Sequence, residues 1–172
     1  MILAVDVGNS NTTVGLFNGT GELLFRALLE TSRSKTRDQC AIELLGVFQL
    51  YGADACTVDG AILSSVVPPL TTIFTDAIAR LTGIPPMVVG PGIRTGLNIK
   101  AEIHNQLGSD IVASSVAAIA KYPSPIVMVD MGTATSLSLI VGSVYEGCII
   151  MPGLALALDA LSERAAALPP IS

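Results

Sequence analysis

The sequence predicts an α/β fold built on a mixed sheet, and three observations carry that reading. Segments patterned as strands interleave with segments of helical spacing along the 172 residues. Two strand pairs close on the same kind of turn, Val5-Asp6-Val7-Gly8 near the start and Val129-Asp130-Met131-Gly132 far along the chain. Hairpins at both turns, combined with helical crossovers, place antiparallel and parallel pairs in the same architecture.

Met1 to Asp6 and Thr12 to Asn18 read as strands around a polar turn, Asn18 to Glu22 (NGTGE) as the next turn, and Leu23 to Glu30 (LLFRALLE) as a third strand. That is a β-meander. Thr31 to Asp38 (TSRSKTRD) is a polar loop whose end caps a helix through Ala41, Leu44, Leu45 and Phe48. Asp59 to Val67 is a buried strand stopped by Pro68 and Pro69, Leu70 to Gly83 an amphipathic helix ending at its glycine, and Pro86 to Gly90 a short strand. After the turn-rich Gly90 to Ile99, residues Gly108 to Ala120 have the alanine content and apolar spacing of a helix, with Asp110 in its first turn. Pro125 to Gly132 is a strand, Thr135 to Val141 its hairpin partner and Gly147 to Gly153 a further strand end. Leu154 to Leu168 is a helix stopped by Pro169 and Pro170. Aligning the two acidic turns without a gap sets Asn9-Ser10-Asn11-Thr12 opposite Thr133-Ala134-Thr135-Ser136, which suggests an internal duplication.

Hydrophobic residues make up 51% and charged residues 13%, so apolar surface and self-association are expected. A net charge of -5 with nine basic residues argues against a nucleic-acid backbone binder, which needs clustered Lys and Arg. Cys40, Cys56 and Cys148 are odd in number and never spaced CxxC, which fits reduced thiols, read as small core residues. No apolar run reaches the ~20 residues that span a bilayer, and the N-terminal strand has no basic region before it, so a soluble cytoplasmic protein is expected.

Two turns rich in Gly, Ser, Asn and Thr can offer N–H groups and hydroxyls to an anion, while an Asp at each strand end can hold a cation. Asp6 and Asp130 can equally serve as Asx caps of their turns, and the pairing favours a metal-nucleotide. A buried carboxylate without a partner is costly, so Asp6 inside an apparently buried strand asks for a role. There is no GxxxxGK[ST], and GPGIRTG at Gly90 to Gly96 departs from the dinucleotide fingerprint; it reads as a loop carrying Arg94. Asp110 suits either a helix-start acid or a general base. His104 reads as a loop residue, and Arg33 to Arg37 as a solvated loop that could help hold phosphates.

The stretches DVGNSNTTVGLF, SSVVPPL, GPGIRTGLNI, LGSD, VDMGTATS and PGL with ALSERAAALP occur in the order found in the type III pantothenate kinases, and the chain resembles that family over nearly its whole length. The resemblance implies an actin-like (ribonuclease H-like) α/β fold, a mixed sheet with flanking helices, divided into a domain at 1–115 and the start of a second, incomplete one at 116–172. It implies ATP-dependent phosphorylation of pantothenate to 4'-phosphopantothenate, the first step of coenzyme A biosynthesis, in a cytoplasmic homodimer that binds neither nucleic acid nor membrane. Asp6, Val7, Gly8, Asn9, Ser10, Asn11, Thr12 and Thr13 would form the nucleotide phosphate loop, with Asp6 near Mg2+ and Thr133 contacting ATP. Asp130 would bind a monovalent cation, K+ or NH4+. Asp110 would be the catalytic base, and Gly108, Ser109, Asp110 and Ile111 would line the pantothenate pocket. Ile111 stands where the family often has Arg, and Ala101 where it commonly has an aromatic residue. Family members also continue beyond the last helix, so apolar surface around Asp130 and Leu154 to Leu168 should be left uncovered. The alternatives are a non-catalytic nucleotide-binding regulator related to the family and a kinase of the same superfamily acting on another hydroxyl.

Overall fold

A computed structural model describes residues 1–90, 93–99 and 107–164, which fall into two compact units. The first comprises Met1–Ile93 with Gly108–Ala113, and the second Arg94–Leu107 with Ser114–Ser172.

In the first unit β1 (Ile2–Val7), β2 (Asn11–Phe17) and β3 (Leu23–Glu30) form the antiparallel meander. Helix α1 (Arg37–Leu50) and a 3-10 turn (Ala55–Thr57) lead to β4 (Gly60–Ser65), which runs parallel to β1. Helix α2 (Pro68–Thr82) then returns the chain to β5 (Met87–Val88), parallel to β4, and the sheet order is β3-β2-β1-β4-β5. Leu3, Val5 and Val7 of β1, Val14 and Leu16 of β2 and Leu63 of β4 are buried with Leu44 and Phe48 of α1 and Leu70 and Phe74 of α2. Each such side chain contributes about 1.5–3 kcal/mol of transfer free energy. Alternation leaves Ile2, Ala4 and Asp6 on the other face, where Ile2 and Asp6 are exposed. Asp6 is therefore not a buried charge; apolar Ile2 and Ala4 on the outer face disguise the period of two.

Helix ends follow their local chemistry. Thr36 accepts from the Gln39 N–H at 3.3 Å while Gln39 Oε1 accepts from the Thr36 N–H at 2.8 Å, a reciprocal cap that starts α1 at Arg37. Arg37 and Asp38 thus belong to the helix rather than the loop. Pro68 and Pro69 open α2, where their missing N–H groups cost nothing, and Gly83 closes it at φ 74°.

In the second unit β7 (Ile126–Met131), β8 (Ala134–Val141) and β9 (Val144–Pro152) form another antiparallel meander, and β6 (Asn98–Ile99) pairs parallel to β9, giving β6-β9-β8-β7. Helix α3 (Ser109–Lys121) precedes β7, and α4 (Leu154–Arg164) follows β9. Buried Ser138 and Tyr145 share a hydroxyl–hydroxyl hydrogen bond of 2.9 Å. The strand β6 falls within the stretch read as turn-rich, and the 3-10 turn within one to which the sequence assigns no element, since such two- and three-residue elements carry no periodicity.

The duplicated grammar is real in backbone terms but needs a gap. Asp6 pairs with Thr13, whereas Asp130 pairs with Ser136. Gly8 N–H donates to the Asn11 carbonyl at 3.0 Å, and Gly132 N–H to the Ala134 carbonyl at 3.1 Å. The second turn is thus one residue shorter, and Thr13 rather than Thr12 corresponds to Ser136.

Among the cysteines only Cys40 is buried; Cys56 lies in the exposed 3-10 turn and Cys148 on the exposed part of β9. The apolar exposure expected around Asp130 and the last helix is present: Val127, Val129 and Met131 of β7, Ile149 and Ile150 of β9, and Leu154, Leu156 and Leu161 of α4 all face solvent. Among the described residues no helix is long and apolar enough to cross a membrane.

Candidate functional site

At the carboxyl end of β1 the chain turns through Gly8, Asn9 and Ser10 into β2. Gly8 is required there, because a Cβ would stand 2.9 Å from the Asn11 carbonyl oxygen. The loop after β3 braces this turn: the Thr31 N–H donates to the Ser10 carbonyl at 3.0 Å, and the Thr12 and Thr31 hydroxyls meet at 2.8 Å. Arg33 donates to Asn9 Oδ1 at 3.4 Å, while Lys35 is engaged by the Glu30 carbonyl at 2.6 Å and by Glu43 at 3.0 Å. Arg37 pairs with Asp38 at 3.2 Å on the helix surface.

Strand alternation sorts the eight phosphate-loop candidates by what they can present. Val7 and Thr12 are buried, at 0% and 1% exposure, so their side chains serve packing and the Thr12–Thr31 bond. Asp6, Asn9, Ser10 and Asn11 are exposed, and Gly8 and Thr13 are half-buried. Directly paired residues share a face of a sheet, so Thr13, Asp6 and Ser64 form a row across β2, β1 and β4 on the face opposite α1 and α2.

The start of α3 meets that row. Ser109 Oγ lies 3.1 Å from Ser64 Oγ, accepts from the Ser65 N–H at 3.0 Å and donates to the Ser65 carbonyl at 3.1 Å. Asp110, the next residue, accepts from the Ile111 N–H at 2.7 Å through Oδ1. A Cβ on Gly108 would collide with that same oxygen, so the glycine makes room for the carboxylate. Two carboxylates far apart in sequence are thereby gathered at the carboxyl ends of two parallel strands, where open α/β sheets bind ligands. The serine pair at the end of β4 is the part that motif reading did not single out as functional.

The second acidic turn is built differently. Asp130, Gly132 and Thr133 are exposed, and the turn rests on the start of α4. There the Gly153 N–H donates to the Thr133 carbonyl at 3.0 Å, and the Gly153 carbonyl accepts from Ala157 at 2.9 Å. His104 and Ala101 lie outside the described residues, as does the stretch 165–168 that the sequence pattern assigns to the last helix.

The model of the type III pantothenate kinase family matches residues 2–172. The chain belongs to that family. It is 41% identical over 170 residues to the type III pantothenate kinase of Listeria monocytogenes, covering 98% of this chain and 65% of that protein. It is likewise 41% identical to the Geobacillus sp. enzyme, with 99% and 66% covered. This member of the family thus spans about 65% of the length of its Listeria relatives. Its fold is shared with a Sinorhizobium meliloti protein assigned as a 2-dehydro-3-deoxygalactonokinase, at TM-score 0.58, 13% identity and coverage of 96% of this chain and 58% of that one. It is also shared with a Campylobacter jejuni protein assigned to the Baf family of transcriptional activators, at TM-score 0.55, 20% identity and coverage of 95% and 61%. At these identities the likeness concerns the fold, the actin-like α/β arrangement.

The pantothenate kinase family implies ATP and a divalent cation, and the donors at the first turn suit the latter. Mg2+ is characteristically held by one or two carboxylates, with water and substrate phosphates completing its shell. Asp6, exposed beside a turn of N–H, amide and hydroxyl groups, matches that pattern. Among the described residues no group of three or more His, Cys, Asp or Glu forms a metal cage.

Proposed function

We propose that the chain transfers the γ-phosphoryl group of ATP to the primary hydroxyl of pantothenate, giving 4'-phosphopantothenate and ADP, the entry to coenzyme A biosynthesis. The observation that carries this reading is the gathering of Asp6 and Asp110 at the ends of β1 and β4 through the Asp6–Ser64 register and the Ser64–Ser109 bond. The turn at Gly8 to Asn11 receives the phosphates on N–H and hydroxyl groups, with Arg33 beside Asn9 as an added cation. Asp6 holds Mg2+, which when bound neutralises charge on the phosphates. Asp110 accepts the proton of the pantothenate hydroxyl as the new O–P bond forms and the bond to the ADP oxygen breaks. Gly108, Ser109 and Ile111 surround that base.

In the second unit we assign Asp130 a monovalent cation, K+ or NH4+, and Thr133 a contact with ATP. We further take 1–115 as an actin-like domain and 116–172 as the start of a second, in a cytoplasmic homodimer. The exposed apolar residues of β7 and α4 support association.

The test is ADP release by the purified chain with ATP, Mg2+, K+ and pantothenate, beside Asp110→Asn. Removing a general base should lower kcat by about 10²–10⁴-fold. Absence of pantothenate-dependent ADP release overturns the kinase reading. ATP binding by calorimetry without turnover would then favour the regulator, and phosphorylation of another alcohol a kinase of different substrate.

A further inference from the structure

The Ser64–Ser65–Ser109 cluster points to a role for Ser109 that differs from lining a substrate pocket. In a parallel ladder, backbone groups alternate between the two neighbouring strands. Val66 N–H donates to the Val7 carbonyl at 3.0 Å, so Ser65 directs its N–H and carbonyl away from β1. On that side β5 pairs only with Ile62 and Leu63, and its last bond is from Val89 N–H to the Leu63 carbonyl at 2.8 Å. Both backbone groups of Ser65 are met instead by one side chain, the hydroxyl of Ser109. The valences close. Ser109 donates its single proton to the Ser65 carbonyl and accepts from the Ser65 N–H and from Ser64 Oγ, using one donor and two acceptor positions.

We infer that Ser109 is a positioning residue for Asp110, fixing the first turn of α3 to the end of β4 and so setting the base against the strand that carries Asp6. The inference rests on the reading of Asp110 as the base. Three features hold the carboxylate once Ser109 is fixed: the Ile111 N–H on Oδ1, the space left by Gly108, and the helical bond from Val112 N–H to the Gly108 carbonyl at 3.1 Å. Ser109 spends its whole hydrogen-bonding capacity on β4, which leaves none for pantothenate.

The test compares Ser109→Ala, Ser109→Thr and Ser64→Ala with wild type in the pantothenate-dependent assay, together with amide exchange at Ser65. A small displacement of a reacting group costs up to about 10²-fold in rate, so Ser109→Ala should lose about 10- to 100-fold in kcat while KM for pantothenate and ATP moves less than about three-fold. Ser109→Thr, which keeps the hydroxyl, should recover most of that loss, and Ser64→Ala should give a smaller one. Exchange at the Ser65 amide should quicken in Ser109→Ala alone. Unchanged kcat in Ser109→Ala overturns the inference. So does a raised KM for pantothenate at constant kcat, which would make Ser109 a substrate contact. If Ser109→Ala does not fold, a Ser109→Thr protein with folded spectra and kcat below that of Ser64→Ala overturns it as well. Wild type without turnover overturns the kinase reading and this inference together, whereas wild-type turnover with indifferent variants overturns this inference alone.

Discussion

Gly153→Ala is expected to weaken the protein by disturbing the second acidic turn, and the size of the effect follows from what surrounds the missing Cβ. An added methyl would meet the Gly132 carbonyl oxygen, the Thr133 carbonyl oxygen at 2.6 Å and the Thr133 carbonyl carbon at 2.9 Å. All three are backbone atoms, so no side chain can rotate aside. The turn would have to retreat by roughly 1 Å to reach ordinary contact. That movement breaks the 3.0 Å bond from Gly153 N–H to the Thr133 carbonyl. Losing such a bond costs about 1 kcal/mol, and overpacking typically adds about 1–3 kcal/mol, for a total near 2–4 kcal/mol. With a urea slope of about 2 kcal/mol per molar, the midpoint of unfolding followed by circular dichroism should fall by about 1–2 M. Gly46→Ala is the control: Gly46 is exposed in α1, and beyond the helix's own adjoining backbone no atom of the described residues lies within 4 Å of its Cβ position. There alanine should stabilise by about 0.5–1 kcal/mol. A Gly153→Ala midpoint within roughly 0.2 M of wild type would refute the packing argument.

Ser115 in α3 is buried and its hydroxyl has no hydrogen-bond partner among the described residues, so Ser115→Ala removes a desolvated polar group and should leave the urea midpoint unchanged or raised. A fall of more than about 1 kcal/mol would show a partner for that hydroxyl. Burial pushes the Cys40 thiol above its ordinary value of 9.0, with Glu43 adding to the rise and Lys35 opposing it. A folded-state value above the unfolded one means stability that is fully present below the unfolded value and lost as pH rises through the folded one. The urea midpoint of wild type should therefore fall more steeply above pH 9 than that of Cys40→Ala, and parallel curves would exclude the contribution.

Most of the fold was legible because its elements are long and bounded by residues with strong local rules. Thr36, Pro68, Pro69 and Gly83 act through geometry within one turn, so a sequence window holds all the information. The two-residue strands β5 and β6 differ in this respect. PMVVG advertises β5, whereas Asn98–Ile99 becomes a strand only through pairing with Val144 and Tyr145. Asp6 was legible as a chemical oddity, yet its environment was misread, since the outward face of β1 also carries Ile2 and Ala4. The serine cluster was beyond sequence reading for a plainer reason. Ser109 lies 44 residues from Ser65, and only the crossing of α3 over the end of β4 brings them together.

The two acidic turns are one local device braced in two ways, and the difference decides which substitutions each tolerates. The first is held from outside by the loop after β3, through one backbone bond from the Thr31 N–H to the Ser10 carbonyl and through the side chains of Thr31 and Arg33, so a side-chain change in that loop alters the turn while leaving its backbone path available. The second is one residue shorter and has Gly153 seated against the Gly132 and Thr133 carbonyls, backbone against backbone. A side-chain brace can be loosened in steps by substituting one partner at a time. A backbone brace admits no intermediate, because any residue other than glycine must displace the turn itself. Graded variation of the first turn should therefore be sought around Asn9 and Arg33, and abrupt loss at Gly153.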